Sequence, residues 1–264
     1  MSPSAHDADD AAQIGGRLRG VLFLIPATVY FVGLSVVMGA LGAVSGRFRR
    51  GGFVHLVRPW GRFPLWLFGV RLETTGLEHI EADGPKLILF NHVSLLDLFI
   101  LAALCPRRPI VMYKKELSSV PGLGWALSTL DMISIDRANH EQALASLRSA
   151  GERLHQEGAS VLMAPEGTRS RRGGLQRFKL GAFHLATTTG VPIVPMIMRG
   201  VDRVLPMGSF IVRSGRIRVD YLPPIDPTGW ELEEVREHAD EIREQFLQYL
   251  PPAPEPEPKQ AKTG

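Results

Sequence analysis

A chain of 264 residues is long enough for one large domain or two small ones with a buried core. Hydrophobic residues make up 45% of it and charged residues 22%, which excludes a mostly disordered protein. The single cysteine, Cys105, excludes an intrachain disulfide framework and a cysteine-cluster zinc site. Lysine and arginine number 30 against 27 aspartates and glutamates, and a net charge of +3 by itself indicates no particular partner.

The N-terminal region contains a long uncharged segment. Residues 1–16 are small, polar and acidic, and we predict that they form a disordered leader. After Arg17 and Arg19, the run from Gly20 to Gly46 carries no charge. At about 1.5 Å per helical residue, such a run can cross a hydrocarbon core of roughly 30 Å. It therefore predicts a membrane-associated helical segment, with a single span as the simplest form.

Other structures could produce a similar run. A buried core helix is disfavoured because the run is hydrophobic on every side and too long. A cleaved signal peptide is disfavoured because its apolar region is typically about 7–15 residues. Pro26 and several glycines could instead bend the run into a re-entrant hairpin, and the sequence does not separate a hairpin from a single span.

Arginines follow this run at positions 47, 49, 50, 58 and 62. The positive-inside bias therefore places the C-terminal body on the cytoplasmic side of the cell membrane. Residues 53–70 mix apolar residues with arginine and tryptophan and are too charged to span. They predict either a helix in the membrane interface or the first core helix of the soluble domain. Residues 17–70 are accordingly assigned to a membrane-spanning and interfacial region.

From residue 71 onwards, short apolar runs alternate with helical patterns. This alternation predicts an α/β domain over residues 71–250, with a largely parallel mixed β-sheet flanked by helices. The predicted strands are Lys86–Phe90, Ile110–Met112, Ile133–Ile135, Ser160–Ala164, Ile193–Met198 and Arg216–Tyr221. Helices are predicted near 94–104, 139–157 and 178–189, and from about Trp230 to Leu250.

Smaller signals refine this prediction. Asn139 is a candidate N-cap, and Thr228 with Glu231 has the pattern of a capping box before the last helix. Pro195 lies inside a predicted strand and demands an edge position or a bulge. Residues 251–264 are rich in proline, glutamate and lysine, and are predicted to form a disordered tail.

The segment Asn91 to Asp97 follows a predicted strand, at the end where ligand sites of open α/β sheets form. In the functional interpretation, His92 is a general base and Asp97 accepts from its other ring nitrogen, which fixes the tautomer. In the structural interpretation, Ser94 and Asp97 form a capping box and His92 is only a loop residue. The two interpretations can hold together.

A second polar segment, Pro165 to Ser170, follows another predicted strand. Gly167 allows a close approach of the backbone, and Arg169 offers a planar fork for phosphate or carboxylate. Taken alone, this segment could be a tight turn with a surface salt bridge. Basic residues outnumber acidic ones between Arg169 and Arg203, which favours an anionic substrate or membrane surface. Lys115 and Arg137 add cations at two further strand ends.

Several catalytic motifs are absent from the sequence. It has no G-x-S-x-G nucleophile elbow, no G-x-x-x-x-G-K phosphate loop and no H-E-x-x-H. The histidines show no metal-ligand pairing at short spacing, so no metal site is predicted.

The segments together resemble the glycerolipid acyltransferase family, of the 1-acyl-sn-glycerol-3-phosphate type. Four blocks occur in the order of that family: NHVSLLD, GWALSTLDMISIDR, PEGTRSR and VPIVPM, beginning at residues 91, 124, 165 and 191. KKEL at 114–117 and RFKLGAFHLA at 177–186 are also similar to family sequences. The resemblance covers roughly residues 50–225. Ala164 stands where the family often has phenylalanine, a difference that concerns packing more than chemistry.

The resemblance implies transfer of a fatty acyl group from acyl-CoA or acyl carrier protein to the free hydroxyl of a phosphate-bearing glycerolipid. Its catalytic residues would be His92 and Asp97. The residues implied to hold the acceptor and its phosphate are Lys115, Arg137, Glu166, Gly167, Thr168 and Arg169. It implies a lipid substrate in a membrane, and neither a metal, a redox cofactor nor a nucleic acid. Another acceptor (glycerol-3-phosphate, a lysophospholipid or a lyso-aminolipid), a phospholipid hydrolase and a non-catalytic lipid-binding protein are the alternatives.

Overall fold

The structure, a computed structural model, describes residues 29–136, 138–169, 174–209 and 211–252. The predicted leader, residues 17–28 of the predicted membrane region and Arg137 lie outside the described residues. So do residues 253–264 of the predicted tail. The first two residues of that tail belong to the fold, which corrects the prediction there. Leu175 donates its N–H to the carbonyl of Pro251 at 2.8 Å and forms a β-bridge with Pro252.

A seven-stranded sheet in the order β1-β7-β6-β2-β5-β3-β4 forms the centre of the domain. Every neighbouring pair is parallel except β6 with β7. The strands are β1 Val70–Thr75, β2 Lys86–Phe90, β3 Pro109–Lys114, β4 Ile133–Ile135, β5 Ser160–Met163, β6 Ile193–Arg199 and β7 Gly215–Tyr221. The predicted α/β class and largely parallel mixed sheet are confirmed, whereas β1 was not predicted.

Helices cover both faces of this sheet. Residues 29–44 form α1, and a short π-helical turn, Phe48–Gly52, joins it to α2. The others are α2 Val54–Leu67, α3 Glu78–Glu81, α4 Asp97–Ala103, α5 Leu123–Thr129, α6 His140–Glu157, α7 Gly181–Thr189, α8 Val201–Val204 and α9 Val235–Leu247. Short 3-10 turns precede α5 and α9.

The alternation of side chains along β2 divides the core into two layers. Leu87 and Leu89 pack on one face, in a cluster to which α6, α7 and α9 contribute. Ile88 and Phe90 pack on the other face, with residues of α2, α4 and α8. All five residues of β2 are buried, as expected for a central strand covered by helices on both faces.

The N-terminal helices pack against the domain on one side and expose apolar residues on the other. Met38 is buried in a cluster with Phe53 and Trp60, whereas Val29 and Val44 are largely exposed. Within the described residues, no helix has the length and hydropathy needed to cross a membrane. The predicted span begins outside those residues, so its membrane association stays a prediction.

Helix α2 combines features of both interpretations of residues 53–70. It buries Trp60 and Leu65 and exposes Phe63 and Trp66. It also crosses α4 very closely. A Cβ on Gly61 would lie 2.4 Å from backbone atoms of α4, so only glycine allows this approach. Residues 53–70 therefore include a core helix, as one of the two interpretations predicted.

Two local predictions had different outcomes. Pro195 lies in the interior strand β6, and a bulge accommodates it. Met196 pairs with Tyr221 and Ile193 pairs with Ile225. The segment that continues from β7 therefore carries one extra residue opposite Pro195.

The predicted capping box before the last helix is wrong. Thr228 binds the carboxylate of Asp226 instead, through its N–H at 2.9 Å and its hydroxyl at 2.7 Å. α9 begins at Val235, and no side chain caps it.

Candidate active site

The topology brings the two predicted polar segments together. β2 and β5 are adjacent and parallel, so the segments that follow them leave the sheet at the same edge. The first segment carries His92 and Asp97, and the second carries Glu166 and Arg169. The contacts described below join the two segments directly.

His92 and Asp97 form a partly buried dyad that is joined by a short hydrogen bond. Nδ1 of His92 lies 2.6 Å from Oδ2 of Asp97. The same oxygen accepts the backbone N–H groups of Val93 at 2.7 Å and Ser94 at 3.0 Å. Asp97 is 1% exposed, whereas the side chain of His92 is 30% exposed. The carboxylate is thus held by the protein, and the imidazole is accessible from one side.

The capping-box interpretation of this segment is only half fulfilled. Asp97 reaches back to the N–H of Ser94, as the acidic residue of a capping box does. The hydroxyl of Ser94, however, accepts from Leu96 N–H at 3.3 Å, and α4 has no side-chain cap. The shortest hydrogen bond of Asp97 is the one to the ring of His92.

Asn91 connects β2 to β6 just before His92. Its Nδ2 donates to Met198 O at 2.9 Å, and its Oδ1 accepts from Met198 N at 2.7 Å. Asn91 is buried, and both ends of its amide are satisfied. This residue was not predicted as a site residue, although it precedes the histidine in the recognised block.

Glu166 links the dyad segment to the segment before α7. Oε1 accepts His92 N–H at 2.8 Å, and Oε2 accepts Gln176 N–H at 2.9 Å. The carboxyl is buried, and this desolvation raises the pKa of Glu166 to about 7. The hydrogen bonds from the N–H groups of Gln176 and His92 act in the opposite direction, because they stabilise the charged form. Both oxygens bind the protein, so Glu166 positions the backbone of His92. Its predicted contact with the acceptor stays a prediction.

The rest of the second segment forms a tight turn beside Lys179. Gly167 has φ of +71°, and a Cβ there would lie 2.8 Å from the Lys179 side chain. The carbonyl of Thr168 accepts from Gln176 Nε2 at 3.0 Å. Lys179 was not among the predicted site residues, although it lies in the recognised stretch RFKLGAFHLA.

The predicted cations occupy different positions around this edge. Arg169 is half-buried on the segment of Glu166. Lys115 follows β3, two strands from β2, and its Nζ donates to Asp136 at 3.1 Å on the surface. Arg137 lies outside the described residues. The structure thus brings His92, Asp97 and Glu166 together. That Lys115 and Arg137 belong to the same site stays a prediction.

No group of three or more His, Cys, Asp or Glu residues in the described part of the chain could hold a metal ion. The pair of His92 and Asp97 can instead accept and return a proton, because the carboxylate fixes the ring and stabilises its charged form.

Comparisons with known proteins show the family of the chain. A sequence model of the acyltransferase family matches residues 71–199. The 1-acyl-sn-glycerol-3-phosphate acyltransferase of Limnanthes douglasii is 34% identical over 196 residues, which cover 74% of this chain and 69% of that protein. The protein of the same name from Cocos nucifera is 31% identical over 258 residues, which cover 95% and 82% of the two chains.

A solved structure has the same fold. The crystal structure of the 1-acyl-sn-glycerophosphate (LPA) acyltransferase PlsC from Thermotoga maritima aligns with a TM-score of 0.75 at 25% identity, covering 89% of this chain and 96% of that one. The fold is that of an acyltransferase. The chain belongs to the acyltransferase family, and it is an O-acyltransferase of the 1-acylglycerol-3-phosphate type.

Proposed function

We propose that the protein transfers a fatty acyl group from acyl-CoA or acyl carrier protein to the free hydroxyl of 1-acyl-sn-glycerol-3-phosphate, giving phosphatidic acid. The observation that carries this proposal is the 2.6 Å contact between His92 Nδ1 and Asp97 Oδ2. Because Nδ1–H donates a hydrogen bond to the carboxylate, the proton of the neutral ring is on Nδ1. Nε2 then has the lone pair that can receive a proton from the hydroxyl. The names of the relatives support this choice of acceptor.

In the proposed reaction, Nε2 of His92 takes the hydroxyl proton while the oxygen attacks the thioester carbonyl carbon. A C–O bond forms, and the C–S bond then breaks. The imidazolium returns its proton to the departing thiolate, so the atoms and charges balance without a further reactant. A positioned general base of this kind contributes roughly 10²–10⁴-fold to the rate. Direct attack by the acceptor agrees with the absence of a nucleophile elbow from the sequence.

Cations at the same edge of the sheet would bind the acceptor phosphate. Arg169 is the foremost candidate, because it shares a segment with Glu166 and its guanidinium can bind phosphate through two hydrogen bonds. Arg137 and Lys115 are further candidates from the next strand ends. Gly167 and Thr168 would shape the segment that presents Arg169.

A lipid acceptor requires access to a bilayer, and the N-terminal helices support such access. The exposed apolar residues of α1 and α2 are Val29, Val36, Val37, Leu41, Val44, Phe63 and Trp66. Exposed apolar surface of this extent is typical of interaction sites. We infer that residues 17–70 associate with the cell membrane and that residues 71–250 lie on its cytoplasmic side.

Thiol release by the purified protein, from acyl-CoA and separately from acyl carrier protein loaded with a fatty acid, tests the proposal. Release should require lysophosphatidate, and glycerol-3-phosphate, lysophosphatidylcholine and a lyso-aminolipid should replace it poorly. Cys105 should not interfere with thiol detection, because its burial raises its pKa to about 12. Release without any acceptor would indicate a hydrolase, and no release from either donor would contradict an acyltransferase.

A further inference from the structure

A cationic cleft lies at the edge of the sheet opposite to the dyad. Its volume is about 750 Å³, and α2, the residues between β1 and β2 and the segment between α4 and β3 contribute to its walls. Lys86 and Ser160, the first residues of β2 and β5, also line it. The residues of the dyad follow the other end of β2, and a five-residue strand spans about 17 Å. The cleft is therefore separate from the acyl-transfer site.

Positive charge dominates this cleft. The basic lining residues are Arg58, Arg62, Lys86, Arg107 and Arg108, and the acidic ones are Glu81 and Asp83. Lys86 is buried and donates to the carbonyl oxygens of Ala82 and Gly84. By contrast, none of the four arginines forms an ion pair with a carboxylate in the described part of the chain. Their charges are left for an anion.

Two of these arginines are fixed by backbone carbonyl groups. Arg58 Nε donates to Cys105 O at 2.9 Å, and Arg108 Nη1 donates to Glu157 O at 2.7 Å. These bonds orient the guanidinium groups without neutralising them, and each group keeps further N–H donors. A cleft with four uncompensated guanidinium groups, two of them oriented, is suited to a phosphate group.

The position of α2 indicates where that phosphate comes from. Arg58 and Arg62 lie one turn apart on this helix, and Trp66 lies one turn further along. Trp66 is 72% exposed, and its ring lies 6.0 Å from that of the exposed Phe63. Exposed aromatic side chains beside arginines are typical of segments in the headgroup region of a bilayer.

We propose that the cleft binds the phosphate of an anionic phospholipid headgroup, at a site distinct from that of the acyl acceptor. The bound lipid would anchor α2 and the segment between α4 and β3 to the membrane surface. This contact would add to membrane association through apolar residues, and it would depend on the charge of the lipid.

Vesicle flotation of the full chain tests this proposal. The variant R62Q/R107Q removes two cleft charges that make no hydrogen bond with other described residues. The control R71Q/R148Q removes two exposed charges elsewhere, on β1 and α6. Vesicles of phosphatidylcholine, with and without phosphatidylglycerol, provide the two surfaces. A basic residue at an anionic surface contributes about fivefold to partitioning, so the cleft variant should lose roughly 30-fold on phosphatidylglycerol vesicles.

The control should lose much less, and both variants should bind phosphatidylcholine vesicles like the unmodified protein. Equal losses in the two variants, or no loss in the cleft variant, would overturn the proposal. Calorimetry with inorganic phosphate distinguishes a soluble ligand from a lipid. If R62Q/R107Q abolishes phosphate binding and leaves flotation unchanged, the cleft binds a soluble phosphate and the proposal is wrong. Thermal unfolding of both variants shows whether they are folded.

Discussion

Replacement of Asp97 by asparagine is expected to leave the protein folded and to lower its turnover by about three orders of magnitude. His92 becomes cationic during the proposed reaction, while Oδ2 of Asp97 lies 2.6 Å from its Nδ1. Opposite charges with centres about 4 Å apart attract by about 4 kcal/mol at an effective dielectric constant of 20, which is about 10³ in rate. The neutral amide loses this attraction.

The same substitution should lower the free energy of unfolding by less than it raises the activation free energy. Oδ1 of Asp97 is buried and has no hydrogen-bond partner among the described residues. An amide nitrogen placed there would be an unsatisfied donor, which costs about 1–3 kcal/mol. The amide oxygen can still accept the N–H groups that Oδ2 accepts now.

Thiol release at saturating substrate and urea unfolding, measured on the same variants, provide the assay. His92→Ala should be at least as severe as Asp97→Asn, and the double variant little worse, because the pair acts as one unit. Ser94→Ala is the matched control. Among the described residues, its hydroxyl accepts only from Leu96 N–H, so the variant should lose about 1 kcal/mol or less and retain turnover. A folded and nearly fully active Asp97→Asn protein would refute the mechanism.

Four further predictions follow from the site and the fold. Arg169→Ala should lower the acceptor kcat/KM about 30-fold or more with little change in the thioester KM. Arg169→Lys should restore the acceptor kcat/KM only partly. An unchanged acceptor kcat/KM in Arg169→Ala would show that this segment is only a tight turn. The raised pKa of Glu166, about 7 against 4.5, means that the folded state binds more protons between these values, so stability should fall as pH rises through this range. Glu166→Gln should flatten that slope in urea unfolding at pH 5, 6 and 7, and equal slopes would contradict the assignment. Gly61→Ala should lower the free energy of unfolding, measured in urea, by about 1–3 kcal/mol, since a Cβ would meet α4 backbone atoms at 2.4 Å, and an unchanged free energy would show that α2 can shift. The membrane-bound protein should resist high-salt and carbonate washes, and quantitative release would show that the predicted membrane segment is wrong.

The elements that could be predicted are those with strong local patterns. Asn139 caps α6 as predicted, with Gln142 N–H donating to its side chain at 3.1 Å. The apolar run of β2 likewise matches a strand buried on both faces. β1 was missed because its sequence VRLETT is mostly only half-buried, at the edge of the sheet. The capping box at Thr228 failed because a nearer partner, Asp226, competes for the same side chain.

The same distinction applies to the site. His92 and Asp97 are five residues apart, so their contact can be inferred from a short motif. Glu166 accepts from a backbone N–H 74 residues away, and no local pattern indicates that partner. Its role as a positioning residue depends on the adjacency of β2 and β5, which is a property of the sheet order. The cationic cleft was missed for a similar reason, since distant segments of the chain form it.

Asn91 continues the hydrogen bonding between β2 and β6 through its side chain, at the point where the main chain leaves the sheet. Its side-chain amide donates to the carbonyl of Met198 and accepts the N–H of Met198, so one side chain satisfies both main-chain polar groups of that residue. The ladder between β2 and β6 is thereby extended by side-chain atoms, while the backbone is free to turn toward Glu166 at His92. Aspartate cannot donate here, and glutamine is one methylene too long. His92 consequently follows a residue that is hydrogen-bonded to the sheet, although His92 itself lies in a loop that Glu166 and Asp97 hold in place.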